Sequence, residues 1–314
     1  MNNKKNVTFV VPAYIESEIY LKFLEETIEG FLKQTDERWN AVIIDDHSPV
    51  QGMRLLKDKY PDQRIHWIHL NERRTTGACR NIGIEWAKQN NTDYILFNDA
   101  DDISDCNRVK LVKEIFEKNP TIDVIYSSVR VIDENCNEWK GKLLPAAIKE
   151  IIDVLESKPP VGKNCWYDIG LITGYVNITS STSVRLELAA EELFPDEMIS
   201  EDSHTWYRYA ARGEFYYSEY IHVSYRIPSF VRRQSSESYT KDFNLDKIRV
   251  DKDGFSKAMK IVENKGSIKP EQEKILYFKF LMRLIESMKK NNRLDLCYDL
   301  AMECNELFQL DFAL

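Results

Sequence analysis

Three acidic clusters carry most of the reactive potential of this sequence. Asp99-Ala100-Asp101-Asp102 follows the apolar run Ile95-Leu96-Phe97 after a single residue, Asn98. Carboxylates this close repel one another unless a cation neutralises them, and hard oxygens suit Mg2+ or Mn2+, with a diphosphate ligand completing the shell. The plain alternative is a solvated acidic turn. A calcium loop of the EF-hand type is excluded, because Ser104 stands where its glycine is needed and Lys110 where its closing glutamate belongs. Asp45-Asp46 ends a second apolar run and precedes His47-Ser48-Pro49; an aspartate there can accept from the N–H of a nucleotide base or simply cap the turn. Ser200-Glu201-Asp202 opens a helical stretch. With Ser200 as the cap and the helix dipole favouring the anion, Asp202 is expected to be deprotonated at neutral pH, as a general base requires, although ordinary capping gives the same pattern.

The elements around these clusters alternate. Residues 7–11 form a β-branched, nearly all-apolar run ending at Pro12, suited to a strand buried on both faces. Helical spacing over 20–33 follows, then a second buried strand over 41–44. The pattern repeats with helix 51–60, strand 65–70, helix 77–89 and strand 94–97, then helix 108–118, strand 124–131 and helix 148–155. Such alternation predicts an open, mostly parallel α/β sheet, in which ligands bind at the carboxyl ends of the strands, where two of the acidic clusters fall. Residues 162–182 read as loop or irregular strand, 183–193 and 201–212 as helices. From about residue 240 helical periodicity dominates. This places a catalytic region at 1–239, with a nucleotide half over about 1–120 and an acceptor half over 121–239, and a helical C-terminal region at 240–314.

The composition limits the classes. With 43 Lys and Arg against 51 Asp and Glu, the net charge of −8 opposes nucleic-acid binding. Six cysteines show no CxxC pair and the first residues are polar, so neither a zinc ribbon nor a secretion signal is visible and a reducing, cytoplasmic compartment is expected. No apolar run approaches the roughly 18 residues of a membrane span, which confines any membrane association to a peripheral one at the inner face of the plasma membrane.

Taken in order, these motifs resemble those of the family 2 glycosyltransferases of the GT-A fold, over roughly residues 5 to 230. Val10-Val11-Pro12-Ala13-Tyr14 looks like the family's opening motif, which lines the nucleotide pocket; here Ile15 and then Glu16 follow where the family usually has asparagine. Ile44-Asp45-Asp46-His47-Ser48 matches its base-binding segment, with His47 replacing a common glycine. Gly77-Ala78-Cys79-Arg80-Asn81-Ile82-Gly83 is similar to its glycine-led Arg-Asn-x-Gly helix start, with two residues between Gly77 and Arg80. Asp99-Ala100-Asp101 corresponds to its metal-binding Asp-x-Asp, and Glu201-Asp202 to its acceptor-side Glu-Asp.

The resemblance implies a donor site formed by Pro12, Ala13, Tyr14, Glu16, Asp45, Asp46, Gly77, Arg80, Asn81, Asp99, Ala100, Asp101 and Glu201, with Arg233 of a flexible loop after residue 225 closing over the pyrophosphate. It implies Mn2+ or Mg2+ on Asp99 and Asp101, a UDP-sugar donor, and Asp202 as the base for inverting transfer to a saccharide or lipid-linked acceptor. The transmembrane helices of processive members have no counterpart, so addition of a single sugar is expected. The apolar stripe of the C-terminal helices packs on the chain's own core or forms a homodimer. Two other readings use the same residues: a dehalogenase-like phosphatase, with Asp99 as nucleophile and Asp101 as acid/base, and a GT-A domain that binds a nucleotide sugar without catalysis.

Overall fold

The computed structural model describes residues 5–50, 52–139, 144–174, 176–229 and 240–308. Its centre is a seven-stranded sheet. β1 (Val7–Ala13) lies between β2 (Trp39–Asp45) and β4 (Tyr94–Phe97), both parallel to it, and β3 (Ile65–His69) extends the parallel set beyond β2. On the other side the order runs from β4 through β8 (Ser183–Arg185) and β6 (Ile122–Ser127) to β9 (Glu214–Ser218). Only β8 is antiparallel to its neighbours. A second sheet of three short strands, β5 (Ile103–Ser104), β10 (Val223–Arg226) and β7 (Arg130–Ile132), stands beyond the carboxyl end of β4.

All seven residues of β1 are buried, and alternate side chains serve different cores. Val7, Phe9 and Val11 pack with α1 (Glu18–Leu32) and α4 (Arg108–Lys118). Val10 faces the opposite core, against α3 (Thr76–Gln89) and α8 (Glu201–Arg212). That second core continues without a break into the C-terminal helices α9 (Phe243–Asn264), α10 (Pro270–Lys290) and α11 (Leu294–Phe308). At the junction Phe255 and Phe280 stack with centroids 4.2 Å apart, and Tyr207 of α8 meets both edge-on. Each aromatic ring buried in this way contributes about 1.5–3 kcal/mol.

The first four strands, the helices between them, α5 (Ala146–Ser157) and the helical C-terminal region follow the sequence pattern. The middle of the chain departs from it. The stretch expected as loop contains α6 (Cys165–Leu171), whose Trp166 and Ile169 are buried in the second core. The helix expected over 183–193 begins as β8, because Val184 is drawn into the sheet between β4 and β6, and only Leu186–Glu191 is helical (α7). The strand expected over 124–131 is two strands, β6 and β7, in different sheets. Tyr225 and Arg226, expected to open a flexible loop, belong to strand β10. Tertiary pairing overrides local propensity at each of these places. Arg232 and Arg233 lie outside the described residues.

Candidate active site

The carboxyl ends of β1, β2 and β4 open onto a cavity of about 400 Å3. Pro12 and Ala13 come from β1, Asp46 from the turn after β2, and Asp99, Ala100 and Asp101 from the turn after β4. Thr76, Cys79 and Arg80 enter from the first turns of α3, Glu201 from α8, and Tyr225 and Arg226 from β10. Tyr14, Tyr20, Asp46 and Thr76 are shared with an adjoining cavity of about 250 Å3, which Glu16, Arg73, Arg74 and Met198 complete.

The acidic turn after β4 is tied down on all sides. The Asp99 N–H donates to Ser180 Oγ (2.9 Å), and Thr27 Oγ1 donates to the carbonyls of Ala100 (3.0 Å) and Asp102 (2.9 Å). Arg226 Nε donates to the Asp101 carbonyl (2.8 Å), while the Arg226 N–H donates to Asp102 Oδ1 (2.7 Å). The run is thereby divided. Asp99 and Asp101 face the cavity, whereas Asp102 is buried beneath it, its carboxyl held well above the usual range by burial and by Asp101 and Asp99. Burial and the neighbouring Asp99 push Asp101 up to about 7.

That crowding is what a divalent cation relieves. Among the described residues no three acidic, histidine or cysteine side chains form a closed metal cage. Asp99 and Asp101 are the two cavity-facing carboxylates that could hold Mg2+ or Mn2+.

Arg80 joins the two halves of the cavity. Its buried guanidinium donates from Nη2 to Asp99 Oδ1 (2.8 Å) and from Nη1 to Glu201 Oε1 (2.7 Å). A planar fork fits two carboxylates better than a lysine ammonium does. It is aimed by α3, whose cap Thr75 accepts from the Ala78 N–H (3.1 Å). Gly77 allows the approach: a Cβ there would stand 2.6 Å from the Pro195 carbonyl oxygen and 3.4 Å from Glu201 Cγ.

Other expected site residues are placed differently. Asn81 does not line the cavity; it brackets the backbone of Phe194, accepting from its N–H and donating to its carbonyl, both at 2.9 Å. Asp45 accepts from Ser48 and faces His69 Nδ1 at 3.0 Å, so it closes the turn while Asp46 reaches the cavity. Asp46 Oδ1 accepts from the Arg74 N–H (2.6 Å), and burial raises its carboxyl. Cys79 is pushed up to about 12 by burial and by Asp46, which makes it an unreactive thiol. His47, where the family commonly has glycine, has φ of 57°, so the glycine-favouring backbone persists without the glycine.

Asp202 is half-buried beside Glu201 and outside the cavity lining, with its Oδ1 accepting from the Ser203 N–H (2.7 Å). Burial and the Glu201 carboxylate push it up to about 7, so it is not the fully ionised acid that the helix dipole alone implies. Ser200 does not cap α8. Its backbone is left-handed (φ 57°) and its hydroxyl turns away to α9.

The profile of Glycosyl transferase family 2 matches residues 8–172, more than half of the chain. The chain belongs to this family. It is 28% identical over 247 residues to an uncharacterised glycosyltransferase of Methanocaldococcus jannaschii, covering 76% of this chain and 78% of that protein. It is also 31% identical over 103 residues to the putative teichuronic acid biosynthesis glycosyltransferase TuaG of Bacillus subtilis, covering 32% of this chain and 38% of TuaG. Among solved structures it resembles S. aureus TarS 1–349 in complex with UDP-GlcNAc (TM-score 0.58, 14% identity, 96% of this chain and 92% of that one). It also resembles a mannosyltransferase of Pyrobaculum calidifontis in complex with GDP-Man and Mn2+ (TM-score 0.54, 15% identity, 98% and 81%). The fold is GT-A, and the glycosyltransferase assignment replaces the phosphatase reading of Asp99 and Asp101.

Tyr20, Thr76, Cys79, Tyr225 and Arg226 line the cavity although none of them is expected there from sequence. For the last two a signal exists: Val223-Ser224-Tyr225-Arg226 alternates as a strand does.

Proposed function

We propose that this protein transfers one hexosyl or N-acetylhexosaminyl unit from a UDP-sugar to a hydroxyl acceptor, with inversion and with a divalent cation. The observation that carries this reading is Arg80, which binds Asp99 of the acidic turn and Glu201 of the acceptor-side motif at once and so sets both on one cavity. Asp99 and Asp101 would hold Mn2+ or Mg2+, which supplies charge stabilisation to the departing diphosphate. Asp46 accepts from the base N–H. Asp202 takes the acceptor hydroxyl proton as that oxygen bonds to the anomeric carbon, and the bond from that carbon to the diphosphate oxygen breaks with its electron pair leaving on UDP. A pKa near the working pH is what a base in this role needs.

The relative named for teichuronic acid biosynthesis supports a place in cell-surface polysaccharide or lipid-linked oligosaccharide assembly. Among the described residues no helix is long and apolar enough to cross a membrane, and a cytoplasmic enzyme working at the inner membrane face is the arrangement we favour. A homodimer would use α11, which leaves Leu294, Tyr298 and Met302 exposed on one stripe. The reading is tested by titrating UDP with Mn2+ and with EDTA, beside a UDP-release screen over UDP-Glc, UDP-Gal, UDP-GlcNAc and UDP-GalNAc. Metal-dependent UDP binding with turnover of one donor supports it; no UDP binding under either condition overturns it.

A further inference from the structure

The C-terminal helices reach the turn that opens α8 through polar contacts from α9. Ser200, the residue before Glu201 and Asp202, is held with φ of 57°, a conformation that costs a non-glycine residue about 1–3 kcal/mol unless its surroundings enforce it. The surroundings are on α9. Asp251, 1% exposed, accepts at Oδ1 from Ser200 Oγ (2.8 Å) and from Ser203 Oγ, two hydroxyls that flank Glu201 and Asp202. Its Oδ2 accepts from Lys247 Nζ one helical turn earlier, and Lys247 also reaches Ser200 Oγ at 3.4 Å. The anion is favoured there: burial works against it, but Lys247 and Ser203 outweigh burial and hold Asp251 below the usual carboxylate range.

The helix backbones are also matched. Gly254 lets α9 lie against α8 so closely that a Cβ would stand 2.7 Å from His204 Cα. Immediately beside the Ser203–Asp251 contact, His204 Nε2 meets Asp253 Oδ2 at 2.7 Å.

Resting on the transfer reading above, we infer that Lys247 and Asp251 are positioning residues for Asp202. Asp251 fixes the left-handed turn that presents Asp202, and the Lys247 ammonium favours its ionised form. The C-terminal helices are thereby part of the transfer machinery. The groups acting on Asp202 are Glu201 on its own helix, Arg80 from α3 and Lys247 from α9, and its charge is felt in turn by Tyr207 of α8 and Tyr225 of β10.

The test compares Asp251→Asn, Lys247→Met and Asp202→Asn in UDP release from whichever of the four UDP-sugars the wild type turns over. Asp251→Asn is expected to lower kcat about 100-fold, the effect of a displacement near 1 Å at the reacting group, with donor KM and the Kd for UDP with Mn2+ unchanged. Lys247→Met moves the acid limb of the pH profile upward, which a merely structural role would not do. If Asp251→Asn does not fold, the shifted limb of Lys247→Met carries the test, since that side chain is a quarter exposed. Wild-type kcat in Asp251→Asn, or an unmoved limb in Lys247→Met, overturns the inference when Asp202→Asn is inactive. Wild-type turnover in Asp202→Asn overturns the base assignment itself.

Discussion

The two sides of the cavity are built by different means. On the side proposed for the nucleotide, Asp46, Asp99 and Asp101 sit where parallel strands stop, and hydrogen bonds from Arg74, Ser180 and Arg226 hold them there. On the acceptor side, Glu201 and Asp202 open a helix whose first turn is strained and whose restraint comes from Asp251, about fifty residues later in the chain. Strand ends supply rigid geometry as a consequence of the sheet. A helix start in a left-handed turn does not, and it needs a remote partner. The proposed donor side therefore rests on the sheet, whereas the acceptor side rests on the packing of α9 against α8.

That contrast is open to experiment. The largest effect is expected on the donor side itself: Asp101→Ala should remove metal-dependent UDP binding, a loss of several kcal/mol seen as a flat titration with Mn2+ present. Next is the bridge between the sides. Arg80→Ala leaves Asp99 and Glu201 without their shared buried partner and should lower stability by about 3–5 kcal/mol, read as a smaller urea midpoint at unchanged slope. A smaller effect concerns pH. Burial raises Asp202 to about 7, and as the proposed base it must be ionised, so turnover should fall about tenfold per pH unit below that value. The smallest is His47→Gly, which relieves a left-handed residue on the nucleotide side and should raise stability by about 1 kcal/mol, visible as a higher Tm.

The same contrast explains what could be read from the sequence. The parallel half announces itself, because strands buried on both faces must be continuous apolar runs and their acidic turns must follow directly. Asp99 and Asp101 were legible for that reason. So was Arg80, since its motif sits at a helix start. Within those motifs the division of labour was not legible: Asp45, Asp102 and Asn81 share the chemistry of their neighbours but turn to Ser48, Arg226 and Phe194. The antiparallel half was harder, because β8 has three residues and its strand character comes from the slot between β4 and β6. Asp251 carried no local signal at all. In a helix of mixed charge it looks like a solvated residue, and only the packing of α9 on α8 makes it a buried acceptor.

The most direct test of the account is Asp202→Asn, measured twice on the same preparation: UDP release from the preferred donor, and UDP titration with Mn2+. The account predicts release slowed by about 100-fold to 10,000-fold with UDP affinity intact. Release at the wild-type rate would contradict it, and loss of UDP binding together with release would contradict the separation of the two sides.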